Sequence, residues 1–244
     1  MNEIIRKRKS IRKYEPEKLD AVTLEKVQEK IKNLKPLFPD IRYSVEIGEK
    51  TRGIFNIKAP HYLLFRSEEK EGSYENIGFI GQQMDLFFSA SGLGACWLGV
   101  SKPTDNEASP PEAEEKSCCK SLPFVICMSF GKAAEPLHRS LAEFKRKNLS
   151  VISEGSDERL EAARLAPSAT NIQNWYFIAE NGEIHCYVKK ANLLLGLFYN
   201  KLNRIDLGIA ICHIAEESGN FNFVRKEKPP VRGGYIYAGT VNGD

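Results

Sequence analysis

The 244-residue sequence has no run of 18 apolar residues, no CxxC pair, and no histidine placed beside a cysteine at zinc-binding spacing. The first absence excludes a membrane-spanning helix. The second and third leave no metal site in prospect, since His61, His138, His185 and His213 stand far apart. Charge of one sign is also scarce. Thirty-five basic against 32 acidic residues leave +3, too little to indicate nucleic acid or an anionic membrane as the main partner. Met1 is followed by polar and basic residues rather than the apolar run of a signal peptide. The six cysteines (Cys96, Cys118, Cys119, Cys127, Cys186 and Cys212) read as reduced thiols, because a chain this long folds without disulfides. A cytoplasmic protein is expected.

What is present is ordinary for a globular chain: 42% hydrophobic and 27% charged residues. Length divided by a domain of about 150 residues gives roughly 1.6, one large domain or two halves sharing a core. Apolar spacing predicts helices over Val22–Leu34, Ile77–Ser91, Asp157–Leu165 and Leu202–Ser218. Strands are predicted at Arg42–Ile47, Tyr62–Phe65, Cys96–Val100, Phe124–Phe130, Trp175–Ala179 and Ile184–Val188. Ser101–Lys120, rich in Pro, Ser, Glu and Lys, reads as a loop with a polar helix.

The pattern of the first part begins again past Gly131. An offset of 127 places Gly81 on Gly208, Met84 on Ile211 and Gly92 on Gly219. At nearby offsets Arg8-Lys9-Ser10-Ile11-Arg12 lies over Arg146-Lys147-Asn148-Leu149-Ser150, and Leu37-Phe38-Pro39-Asp40 over Leu165-Ala166-Pro167-Ser168. Three pairings in one order point to a diverged duplication. Its halves would be residues 1–140 and 141–244.

Three segments carry candidate chemistry. Arg6, Lys7, Arg8, Lys9, Arg12 and Lys13 crowd the amino terminus against the single acid Glu3. In an extended segment Arg8, Ser10 and Arg12 share a face, and two guanidinium forks with a hydroxyl suit a phosphate. A solvated basic terminus and a nucleic-acid contact are the alternatives. Pro167-Ser168-Ala169-Thr170-Asn171-Ile172-Gln173-Asn174-Trp175 is a turn dense in amides, which could complement the edge of a heterocycle or bond its own backbone. Gly92-Leu93-Gly94 to Gly99 has the wrong glycine spacing, and the wrong order of helix and strand, for a dinucleotide fingerprint. It would let the backbone approach a flat ligand or let a helix turn into a strand.

Together with Pro123–Gly131 and Arg139, these segments resemble the nitroreductase superfamily of flavin enzymes. The resemblance implies an α+β fold of two pseudo-symmetric halves, each with a mainly antiparallel sheet on long central helices, and FMN as cofactor. It implies that Arg8, Lys9, Ser10 and Arg12 hold the phosphate and ribityl tail, with Arg139 as a further phosphate contact. Pro167, Ser168, Ala169, Asn171 and Gln173 would touch the flavin from the other half, and backbone around Trp97, Leu98 and Gly99 would lie near its reactive nitrogen. No side-chain acid or base is nominated, since the flavin carries the chemistry. Two departures stand out. The basic motif and the Pro-Ser-Asn turn lie about 155 positions apart, whereas the family keeps them close, and Asn174 replaces the usual proline before Trp175. A single chain that mimics the family dimer would account for the first departure, and would keep one complete site.

The expected activity is NADH- or NADPH-driven reduction of small aromatic or quinone acceptors, by a monomer acting as a pseudo-dimer, with a homodimer left open. The alternatives are a flavin-binding protein without reductase turnover and a basic protein that binds nucleic acid or another partner.

Overall fold

The computed structural model describes residues 2–53, 57–104, 122–190 and 196–243. Vicinal Cys118 and Cys119, and the polar helix predicted before Lys120, lie outside the described residues. The chain forms two compact units, one of Arg8–Ser73 and Gln83–Arg139, the other of Met1–Lys7, Tyr74–Gln82 and Ser140–Asp244. The division differs from one near residue 140 in two segments, the first seven residues and part of a central helix.

In the first unit, helix α2 (Ala21–Lys32) starts where Asp20 accepts a 2.8 Å hydrogen bond from the Thr23 amide, which satisfies a donor the helix leaves open. Strands β1 (Tyr43–Gly48), β3 (His61–Ser67), β4 (Gly94–Leu98) and β6 (Phe124–Gly131) make an antiparallel sheet ordered β1-β3-β6-β4. Two short strands, β2 (Thr51–Arg52) and β5 (Lys102–Pro103), pair separately. Every residue of β3 is buried, which is why its middle, Tyr62–Phe65, reads as an apolar run rather than an alternation. Helix α3 (Ser73–Ala90) brings Phe88 onto Phe130 of β6, with ring centroids 4.6 Å apart.

The second unit contains α1 (Glu3–Lys7), α4 (Leu149–Ile152), α5 (Leu160–Leu165) and the long α6 (Gly196–Ala215). Its strands β7 (Ser153–Glu154), β8 (Trp175–Glu180), β9 (Glu183–Lys189), β10 (Asn222–Val224) and β11 (Tyr235–Asn242) are ordered β10-β11-β9-β8-β7. Only β7 is parallel to its neighbour. The predicted helix over Asp157–Leu165 begins later because Asp157 turns its carboxylate onto the Arg159 amide, at 2.9 Å, and onto the Arg159 guanidinium. Strands β10 and β11 have no counterpart in the sequence reading. β11 carries a register shift between Tyr237 and Gly239, which interrupts its alternation.

Each unit follows one succession: a helix, two antiparallel strands, a long helix, then two strands that pair with each other, the last of them also with the second. Thus β1, β3, α3, β4 and β6 correspond in order and pairing to β8, β9, α6, β10 and β11.

Within the second unit the first half of α3 crosses α6 at two glycines. A methyl group on Gly78 would lie 2.0 Å from the Ile205 carbonyl oxygen, and one on Gly208 would lie 2.0 Å from that of Glu75. The contact is reciprocal: residues 75 and 78 are related to 205 and 208 by an offset of 130. The offset of 127 does not describe this crossing, and its close approach is made by Gly78. Beside it Arg204 Nη1 lies 2.7 Å from Glu75 Oε1. Burial nonetheless pushes the Glu75 carboxyl above the usual range, outweighing the arginine.

Candidate functional site

The basic segment leaves α1 in an extended conformation and is stitched into the first unit by bridges from Arg8 to His138, Ser10 to Ala95 and Tyr14 to Ala133. The Ile11 amide donates to the Ala95 carbonyl at 2.9 Å. Close approach here depends on Gly94, where a methyl group would lie 2.8 Å from three carbons of the buried Ile11 side chain.

Arg8 and Ser10 meet as the alternation predicts, with Arg8 Nη2 donating to Ser10 Oγ at 3.0 Å. The arginine is not solvated, however: it is 1% exposed, and its Nε lies 2.8 Å from Asp85 Oδ2. Arg139 donates from Nε to the Arg8 carbonyl at 3.1 Å. Lys9 pairs with Glu135 at 3.1 Å, and the same carboxylate accepts the Arg12 and Lys13 amides at 2.7 and 3.2 Å. These backbone bonds, the Arg12 amide foremost, hold Glu135 below the ordinary range. Arg12 is exposed, and among the described residues no ion pair or side-chain hydrogen bond is recorded for its guanidinium. Cys96 lies within the field of Arg12, Arg8, Asp85 and Glu135, but burial pushes its thiol up to about 11, so it is no nucleophile at neutral pH.

FMN would present a phosphate to this segment, and the donors fit one. Buried Arg8 Nη1 has no hydrogen-bond partner among the described residues, and Arg12 offers a second fork. Lys9, by contrast, is already engaged by Glu135. Of the Gly-rich segment, Trp97 stacks on Phe65 at 5.6 Å, Leu98 is buried, and Gly99 lies in an exposed turn after β4.

The Pro-Ser-Asn turn belongs to the second unit, between α5 and β8. Thr170, Asn171 and Gln173 all have positive φ, at 50°, 59° and 49°, a dense concentration of strain for residues that are not glycine. The side-chain amides of Asn171 and Gln173 build the turn. Asn171 donates to the Lys145 carbonyl and accepts from Arg146 Nη1, each at 2.6 Å. Gln173 accepts the Lys147 amide at 2.9 Å and donates to the Asn171 carbonyl at 3.0 Å. Ser168 Oγ accepts the Gln173 amide at 3.0 Å. Both side-chain amides are therefore drawn into bonds within the turn and with the neighbouring segment Lys145–Lys147, the structural alternative for this segment. Pro167 is buried, while Ser168 and Ala169 are partly exposed.

Sequence reasoning missed Asp85, Glu135 and Asp206. Nothing marks the first two, since their partners are distant in sequence. Asp206 is legible only as the one acid on α6. It accepts the Ala169 amide at 3.1 and 3.0 Å through its two oxygens, and burial pushes its carboxyl up to about 8. Folded protein thus keeps a proton that the unfolded chain releases near pH 4. The resulting stability is full below that pH and is lost as pH rises through about 8. Urea midpoints at pH 6 and pH 9 should therefore differ less in Asp206→Asn than in the parent protein.

No helix among the described residues is long and apolar enough to cross a membrane, and no cluster of candidate metal ligands occurs among them. Among solved structures, a protein of Thermotoga maritima described as a "putative nitroreductase" is 20% identical, with a TM-score of 0.62 over 98% of this chain and 91% of that one. A nitroreductase family protein of Clostridium difficile is 20% identical over 65% of this chain and 99% of that one, with a TM-score of 0.46. An FMN-dependent nitroreductase of the same species is 17% identical over 61% and 98%, with a TM-score of 0.44. No curated protein matches the chain. The α+β architecture is the nitroreductase fold, with its antiparallel sheets and long helices. A family model described as "Putative TM nitroreductase" matches residues 1–218, and the chain belongs to that family.

Proposed function

We propose that the protein is an FMN-dependent oxidoreductase that takes electrons from NADH or NADPH and passes them to a small aromatic or quinone acceptor. The observation that carries this reading is the basic segment. In a chain of this family, Arg8 keeps a buried donor with no hydrogen-bond partner among the described residues, and Arg12 presents an exposed fork. When bound, FMN would supply the chemistry by accepting a hydride and releasing electrons to the acceptor. The chain's task is binding and orientation. Arg8, Ser10, Arg12 and Arg139 take the phosphate end, and Asp85 holds the Arg8 fork in place. The turn of Pro167, Ser168 and Ala169 takes the flavin, with Asn171 and Gln173 acting through the shape they give it. Backbone around Trp97, Leu98 and Gly99 offers donors for the reduced flavin. The repeated succession of elements and the reciprocal helix crossing support an internal duplication, and with it a pseudo-dimeric monomer, while the reduced thiols of Cys96, Cys127, Cys186 and Cys212 accord with a cytoplasmic location.

The test is the absorption spectrum of the purified protein with FMN, before and after NADH or NADPH. Bound flavin that bleaches rapidly supports the oxidoreductase. Bound flavin that neither nucleotide bleaches supports flavin binding without turnover. A colourless protein that ignores FMN and binds RNA in a salt-dependent way overturns the reading. Arg12→Ala removes a charged hydrogen-bonding partner worth about 1.5–3 kcal/mol, so FMN affinity should fall roughly tenfold to a hundredfold. Unchanged affinity in a titration of FMN fluorescence would remove the phosphate assignment.

A further inference from the structure

The turn from Ser168 to Asn174 holds three non-glycine residues at positive φ, a strained conformation, so something outside it must hold its shape. Much of the restraint comes from one face of α6. Asn203 and Asp206, one helical turn apart, both reach the turn: Asn174 Nδ2 donates to Asn203 Oδ1 at 3.2 Å, and the Ala169 amide donates to Asp206. Asn203 is 3% exposed and Asp206 4%. The helix carrying them is itself fixed, since Gly208, two residues beyond Asp206, packs directly on the Glu75 carbonyl. The Ala169 amide is the one hydrogen-bond donor recorded to Asp206 among the described residues. A buried carboxyl group with a single donor is a costly way to cap a turn unless the position of that turn matters.

We infer that Asp206 is a positioning residue for the cofactor: through the Ala169 amide it holds the Ser168–Asn174 turn in the shape that FMN requires, with Asn203 anchoring the other end. The inference rests on the FMN reading above and adds a residue that touches no cofactor. It explains why an acid is buried on α6. It also explains why the amides of Asn171 and Gln173 are spent inside the turn, which is thereby presented as a rigid backbone surface.

The test combines two readouts on Asp206→Leu, which removes the acceptor, and Asp206→Asn, which keeps one carbonyl oxygen. In the FMN-free protein, Asp206→Leu should speed amide hydrogen exchange over 168–174 by at least tenfold, with the β8–β9 hairpin unchanged. FMN affinity should fall at least tenfold in the same variant, and Asp206→Asn should restore both. If Asp206→Leu does not fold, Asn203→Ala releases the other anchor and should give the same pair of effects at smaller size. Equal exchange and equal FMN affinity in parent and variant would overturn the inference. Failure of the parent protein to bind FMN would instead overturn the reading on which it rests, while the exchange measurement would still report whether Asp206 holds the turn.

Discussion

Gly208→Ala is expected to destabilise the protein by at least about 3 kcal/mol, although alanine is the better helix former. The gain in helix propensity is about 1 kcal/mol. Against it stands a methyl group 2.0 Å from the Glu75 carbonyl oxygen, a separation that no side-chain rotation relieves because both atoms belong to backbone. Overpacking of a tight contact costs about 1–3 kcal/mol where neighbours can adjust, and more where two helices must move apart. For a chain of this size the midpoint of thermal unfolding should drop by about 6–12 °C. Gly78→Ala should behave alike, since it meets the Ile205 carbonyl at the same distance. Gly196→Ala, on the same helix with nothing near its added methyl group, should leave the midpoint within a degree or two. A midpoint for Gly208→Ala equal to that of the control would refute the crossing.

The second large effect is at Asp85. Replacing it by alanine leaves the Arg8 cation 1% exposed and without the carboxylate 2.8 Å from its Nε. Breaking a buried pair from one side costs about 3–5 kcal/mol, because the surviving charge stays desolvated. Removing both partners, as in Arg8→Met with Asp85→Leu, should recover much of that loss, since apolar residues of similar volume often replace a buried pair at little cost. Urea denaturation of FMN-free protein measures both. The double variant should at the same time lose FMN affinity, which separates the stabilising role of the pair from its part in binding phosphate. If Asp85→Ala alone is within 1 kcal/mol of the parent protein, the pair is not buried as described.

The fold was legible wherever burial leaves a periodic trace. Helix α2 shows its apolar spacing and its Asp20 cap, and β3, β8 and β9 show runs of apolar residues between turn signals. Strand β11 left no such trace, because a bulge near Gly239 breaks its alternation, and β10 is too short for a period to register. The candidate site was legible in part. Arg8 and Ser10 meet as alternation requires, yet the burial of Arg8 could not be read, because Asp85 lies 77 positions away on another element. In the turn, sequence shows amides but not their partners. Arg146 and Lys147 read only as the counterparts of Arg8 and Lys9 in the repeat, whereas in the structure Arg146 binds Asn171, and the Lys147 amide binds Gln173. Periodicity reports which face is covered; it is silent about which distant polar group supplies the cover.

The reciprocal contact of α3 and α6 has a further consequence for variation. When two identical chains meet about a dyad, every substitution appears on both sides and must be tolerated twice. Here both sides of the crossing lie in one chain and can change separately. Arg204 pairs with Glu75, while the positions related to them by the same offset are Tyr74 and Ile205, which can form no ion pair. One flank of the crossing is ionic and the other is not. Such one-sidedness lets a single polypeptide specialise one of two corresponding surfaces without sacrificing the packing that both depend on.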